Sequence, residues 1–256
     1  MMHTFLLENR AMWMRWYARM RRDLFSLVAT LLQPVLWLVL FGSSLQNMVR
    51  GTVPGGDYLS FMTAAAFVMT VVNGGLNGGL ELMFDRESGF FDRLLATPMH
   101  RVSFVTGRFS FVLAVTVAQG LLIIATAYIL GVRYATGLAG IALTLVVGGL
   151  LGAAGTTVSI ILAFVLRHHG QFFSIIAIVS LPVLFLSSAL APLDAMPGWL
   201  AAVARLNPLT HAIEAIRTLV IVGWDAGVLL QMGGLLAGVD ALLLWLAARV
   251  LRRRLA

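Results

Sequence analysis

A chain of 256 residues with 60% hydrophobic and only 11% charged residues, at a mean hydropathy of +0.93, lies outside the range of a water-soluble domain. Its formal net charge of +7 rests on arginine alone, since the sequence holds neither lysine nor cysteine. Those two absences exclude a thiol nucleophile, a zinc thiolate centre, a Schiff base and a P-loop lysine, so no Walker site for ATP is expected within the chain.

Residues 1–23 carry the first pattern. At ~100° per residue, Phe5, Leu6, Met12, Trp13, Trp16, Tyr17 and Met20 share about 140° of arc, and Arg10, Arg15, Arg19, Arg21 and Arg22 lie off that face. This predicts an amphipathic helix in the membrane interface, with its aromatic rings at headgroup depth and its guanidinium groups near lipid phosphate. Such a helix serves as a surface anchor or as a lever against a cytoplasmic partner.

Six apolar runs come next, each long enough to cross ~30 Å of hydrocarbon as a helix. They lie at Leu24 to Leu45, Tyr58 to Leu80, Val102 to Leu130, Leu138 to Leu166, Gln171 to Ala191 and Gly227 to Ala248. The first is too long for a cleavable signal peptide and comes after an Arg-rich segment, so it is expected to stay as a span. The second ends in "NGGLNGGL", which sets Asn73 over Asn77 and glycine over glycine at i and i+4. Small residues at that spacing let another helix approach closely; a hinged segment lining a pathway is the functional alternative. The fourth run carries the same device at Gly148, Gly152 and Gly155.

Between the second and third runs lies "DRESGFFDRLLATPMHR", Asp85 to Arg101, the longest strongly charged stretch in the middle of the chain. Gly89 permits a break, and Pro98 closes the short segment after it. Phe90, Phe91, Leu94 and Leu95 then share one face of a two-turn helix, with Asp92 and Arg93 on the other. An apolar face on a cytoplasmic helix is expected to meet a partner surface, or else the lipid interface.

His168 and His169 occupy a short turn after the fourth run and read as solvated. The sequence shows no HExxH, no GxSxG and no metal-ligand spacing among its five histidines, so an enzyme reading is weak and no metal is expected. Between the fifth and sixth runs, Pro182, Pro192, Pro197 and Pro208 interrupt the pattern. Pro197 suits the first turn of a helix reaching about Arg205, and Pro208 opens another through His211, Glu214 and Arg217. Both pieces are too short to span, which predicts a re-entrant outer hairpin over 192–221. Asp240 lies in mid-span, where a carboxylate needs a polar cavity, a partner or a structural hydrogen bond, making it a pathway candidate with Asn73 and Asn77.

An inside N-terminus places fourteen arginines on the cytoplasmic side and four (Arg50, Arg133, Arg205 and Arg217) outside. Both termini are therefore expected in the cytoplasm, and the positive charge reads as a topology and anionic-lipid signal without a nucleic-acid role.

The order of Asp85-Arg86-Glu87 and Gly89, Leu94 and Leu95 before Thr97-Pro98, then Leu186-Ser187-Ser188-Ala189, Pro192-Leu193, Met196-Pro197 and Asn207-Pro208-Leu209-Thr210 through Arg217, resembles the permease subunits of ABC-2 type exporters. The resemblance spans essentially the whole chain, including "QPVLWLVLFG" from Gln33 to Gly42. Most members carry Glu where Asp85 stands. The resemblance implies a single all-α permease domain over 1–256 in a bacterial inner membrane. It makes 85–98 (Asp85, Arg86, Glu87, Gly89, Phe90, Phe91, Leu94, Leu95, Pro98) a coupling helix seated in a separate cytoplasmic ABC ATPase. That partner would hold ATP and Mg, and this chain would bind no cofactor. Pro192, Met196, Pro197, Asn207, Pro208 and Arg217 would shape the outer gate of a pore formed with a second permease copy. The branch resembled exports drugs and nodulation factors, which implies a lipophilic or amphiphilic cargo, a lipid or a glycan. The competing class is an ATP-independent secondary transporter or channel built on Asp240 and the glycine-rich spans.

Overall fold

A long apolar segment has no water to satisfy its backbone N–H and C=O groups, so it closes them internally as helix. The computed structural model describes residues 2–46, 57–97 and 99–255, and among these there is no strand. The helices are α1 (Met2–Arg22), α2 (Leu24–Gln46), α3 (Tyr58–Asn77), α4 (Leu80–Glu87), α5 (Phe90–Leu95), α6 (Arg101–Ile129), α7 (Gly137–Val165), α8 (His169–Phe185), α9 (Gly198–Leu206), α10 (Pro208–Arg217) and α11 (Ala226–Leu255). A 3-10 turn at Leu193–Ala195 precedes α9, and a π-helical turn at Thr218–Val222 extends α10.

Among the described residues, four segments are long and apolar enough to cross a membrane: Tyr58–Glu87, Val102–Ile129, Gly137–Val165 and Ala226–Val250. The other two expected spans also form apolar helices, but with different outcomes. Helix α2 runs 23 residues with Pro34 inside it. Helix α8 stops at Phe185 after 17 residues, short of the expected Ala191, and covers only ~25 Å. Pro182 in its last turn offers no N–H, and the chain turns directly afterwards, with Leu186 N–H donating to Pro182 O at 2.8 Å.

Helix α3 is the centre of the bundle and packs on α7, α6 and α2, while α11 leans on α7 and α1 on α6. Asp57 starts α3 by accepting from the N–H groups of Leu59 and Ser60, both at 3.2 Å. Glycine decides how closely α3 approaches α7. A Cβ on Gly75 would lie 2.8 Å from Gly152 O, and one on Gly79 would lie 2.3 Å from Ser159 O. The repeated glycines are therefore helix contacts, as the small-residue spacing predicts.

Apolar side chains gather in two clusters at opposite ends of α6 and α7. One joins Phe61, Phe67, Ile123, Leu151, Ile213 and Ile216. The other joins Trp16, Leu82, Met83, Phe91, Phe104 and Phe164, and brings the N-terminal helix against the segment between α3 and α6.

The arc on α1 divides. Met12 and Trp16 are buried, whereas Leu6, Trp13 and Tyr17 are exposed, so the packed face is rotated from the expected one and takes in Glu8, Asn9 and Arg15. The cause is the surface it meets: the start of α6 offers Ser103 and Thr106 to Glu8 and Asn9, and the end of α4 offers Asp85 to Arg15.

Candidate functional site

The charged stretch folds as the end of one helix and the whole of another. Gly89, at φ +67°, takes the left-handed conformation that ends α4, and the N–H groups of Ser88 and Gly89 donate to Phe84 O and Arg86 O. Asp85, Arg86 and Glu87 thus belong to α4, and each ties it to a different helix. Asp85 is buried and accepts both arms of Arg15 on α1, Nη2 at 2.7 Å and Nη1 at 2.9 Å. Arg86 donates to Ala163 O and to Leu166 O at the C-terminal end of α7, where free carbonyls and the helix dipole favour a cation. Glu87 accepts from the backbone N–H of His169 at 2.6 Å and contacts its ring Nδ1 at 2.7 Å, at the start of α8. The histidine turn is thus exposed but bonded.

Helix α5 turns part of its apolar face inward. Phe91 is buried against Phe104 (ring centroids 5.2 Å) and Phe164 (5.7 Å), and Leu94 packs against the same cluster. The aromatic ends of α6 and α7 supply the apolar surface, and burying one Phe there contributes ~2–3 kcal/mol. Phe90 is half-buried under the Arg15 guanidinium, 4.0 Å from its ring centroid. Among the described side chains, Arg93 on α5 and then Ala96 and Thr97 are exposed. The side chain of Leu95 and all of Pro98 lie outside the described residues.

At the other end, the residues expected at the outer gate converge. Asn207 caps α10 through Leu209 N–H at 2.9 Å, and its amide donates to Val183 O and Leu186 O, both at 2.9 Å. Pro208 occupies the first turn of α10. Arg217 is buried; it donates to Ser188 O (2.6 Å) and Glu214 Oε1 (2.7 Å), with its guanidinium 3.4 Å from the Phe61 ring centroid. Pro192 and Pro197 flank the 3-10 turn and precede α9, and Met196 N–H closes that turn on Leu193 O. One polar cluster therefore fixes the turn after α8 to α10 and α3.

The pathway candidates are separated. Asn73 and Asn77 are exposed on α3, where the Asn77 amide donates to Asn73 O at 2.8 Å. Asp240 is buried on α11, which packs chiefly on α7, and its Oδ2 lacks a hydrogen-bond partner among the described residues. Among the described residues no group of three or more His, Cys, Asp or Glu could hold a metal ion.

Sequence reasoning passes over Arg15 and His169 as members of these joints, and over Arg108, whose Nε donates to Gly78 O at 2.7 Å inside the bundle. Arg108 alone carries a usable signal, as an arginine inside an apolar run.

The ABC-2 type transporter family model matches residues 8–221. The chain is 34% identical over 263 residues to ycf38 of Porphyra purpurea, provisionally described as a transport permease, covering 97% of this chain and 90% of that one. It is 28% identical to the daunorubicin resistance ABC transporter permease protein DrrB1 of Streptomyces coeruleorubidus, over 89% of this chain and 80% of that one. It is 27% identical to nodulation protein J of Rhizobium leguminosarum bv. trifolii, over 96% and 93% respectively. With this match over most of its length, a chain of packed apolar helices is a membrane transport permease, and it belongs to the ABC-2 type transporter family.

Proposed function

We propose that this chain is the transmembrane half of an exporter powered by a separate cytoplasmic ABC ATPase, with two copies of each subunit. The observation that carries this reading is the joint at α4 and α5. The six-residue α5 follows directly on the end of α4, which Asp85, Arg86 and Glu87 tie to α1, α7 and α8, so a push on it reaches all three at once. The ATPase engages the exposed edge at Arg93, Ala96 and Thr97, while Phe91 and Leu94 pass the displacement into the bundle. ATP and Mg belong to that partner.

In this reading α2, α3–α4, α6, α7, α8 and α11 are six spans with both termini in the cytoplasm, as the arginine bias requires. Helix α1 lies along the inner interface of the cell membrane. The segment 192–221 is a re-entrant hairpin at the outer mouth, and the Asn207–Arg217 cluster sets its shape. The cargo is a lipophilic or amphiphilic small molecule, a lipid or a glycan, and the daunorubicin resistance for which one relative is named supports the first of these. ATP-driven uptake of such a molecule into inside-out vesicles tests the proposal. Uptake driven by an ion gradient without ATP would instead favour the alternative, for which the unpartnered carboxylate oxygen of Asp240 is the supporting observation.

A further inference from the structure

Between Asn77 and Leu80 the second span is interrupted at Gly78 and Gly79, and neighbouring helices hold the break from two sides. From α7, Ser159 Oγ accepts from Gly79 N–H at 2.6 Å and donates to Leu76 O. From α6, Arg108 Nε donates to Gly78 O at 2.7 Å.

Arg108 is 6% exposed within a spanning helix, where a guanidinium needs counter-charge. The carboxylates of Glu81 and Asp85 supply it, one and two turns beyond the break on α4. Those same carboxylates are held by α1: Arg19 reaches Glu81 at 2.9 Å, and Arg15 takes Asp85 with both arms. The Trp16 ring closes the circuit, with the carbons of the Arg15 and Arg108 guanidinium groups each 4.4 Å from its centroid. Its Nε1 is buried without a hydrogen-bond partner among the described residues, so ring contacts and cations fix the indole.

We infer that α1 sets the state of the break at Gly78 and Gly79, acting through Arg15, Asp85, Trp16 and Arg108. Arg108 is the positioning residue that contacts the freed carbonyl, and α1 determines where its charge is compensated. Moving α1 relative to α4 withdraws Arg15 and Arg19 from the two carboxylates, which then draw Arg108 off Gly78 O. The span can then bend at its glycines. The interfacial helix is thereby a control element of the second span as well as an anchor. This inference stands whether or not an ATPase engages α5, and its test involves no ATPase.

Amide hydrogen exchange on the purified full chain reads the break directly. In Arg15→Ala, which is remote from Gly78, exchange over residues 79–83 should rise about tenfold, as it should in Arg108→Ala, with exchange over 140–150 in α7 unchanged. The charge exchange Arg15→Asp with Asp85→Arg should restore protection. If Arg15→Ala loosens the whole chain, Arg15→Lys decides, with a smaller rise confined to 79–83. Exchange at 79–83 that rises in Arg108→Ala but ignores both Arg15 variants overturns the inference, as does a rise the charge exchange fails to reverse.

Discussion

Arg15 and Asp85, 70 residues apart, form a two-armed ion pair at 2.7 and 2.9 Å that joins the N-terminal helix to the end of the second span. The Asp85 side chain is 4% exposed and that of Arg15 is 26% exposed, so the pair is partly screened and its net worth lies below that of a fully buried one. Asp85→Ala leaves Arg15 without its carboxylate and is expected to cost roughly 2 kcal/mol. Thermal melting in detergent checks this, with Asp85→Glu retaining most of the stability because the longer carboxylate still reaches the guanidinium.

Phe91 and Arg93 sit two residues apart on α5 and should behave oppositely. Phe91→Ala empties an aromatic contact and is expected to cost about 3–4 kcal/mol, so its loss of transport comes with loss of fold. Among the described residues Arg93 bonds only backbone carbonyls, at 3.4 and 3.5 Å, and Arg93→Glu should change stability by no more than ~0.5 kcal/mol. Melting curves set beside ATPase pull-down separate them: Arg93→Glu keeps the melting point and weakens association.

Glycines in the spans divide by what surrounds them. Gly79→Ala forces a methyl group to 2.3 Å from Ser159 O, a backbone atom with little freedom to yield, and is expected to destabilise by about 3 kcal/mol. Gly149→Ala meets nothing within 4 Å and should be neutral or stabilising by up to ~1 kcal/mol. Detergent melts of the two variants give the comparison.

Much of the fold is legible in the sequence, for reasons that differ by element. Helices α3, α6, α7 and α11 are readable because hydropathy alone dictates them, and Asn207 and Pro208 because capping and proline chemistry are local. The end of α8 is not, because the apolar composition continues past Phe185, whereas the helix stops where Asn207 bonds the carbonyls of Val183 and Leu186. The direction of Phe91 is hidden because periodicity gives a face but not its cover, and Phe104 and Phe164 come from distant segments. The Arg15–Asp85 pair lies beyond pattern reasoning for the same reason.

Acid should loosen the contact between α1 and α6. Glu8 accepts from Ser103 Oγ and contacts His100, and the Ser103 hydroxyl first, then the His100 side chain and N–H, hold its carboxyl below the ordinary range. A lowered folded value means that this stabilisation is fully present above the unfolded value of about 4.3 and is lost as pH falls through the folded one. Melting midpoints from about pH 6 to about pH 3 should therefore fall more steeply for the native chain than for Glu8→Gln.

The central claim, that this permease is powered by a separate subunit, is tested most directly by purifying it without cross-linking from its native membrane and analysing what accompanies it. The account predicts a co-purifying ATPase with a Walker lysine, in equal number to the permease, that the native chain retains and Arg93→Glu sheds. A permease that purifies alone, and in that state moves cargo into liposomes along an ion gradient without ATP, would contradict it.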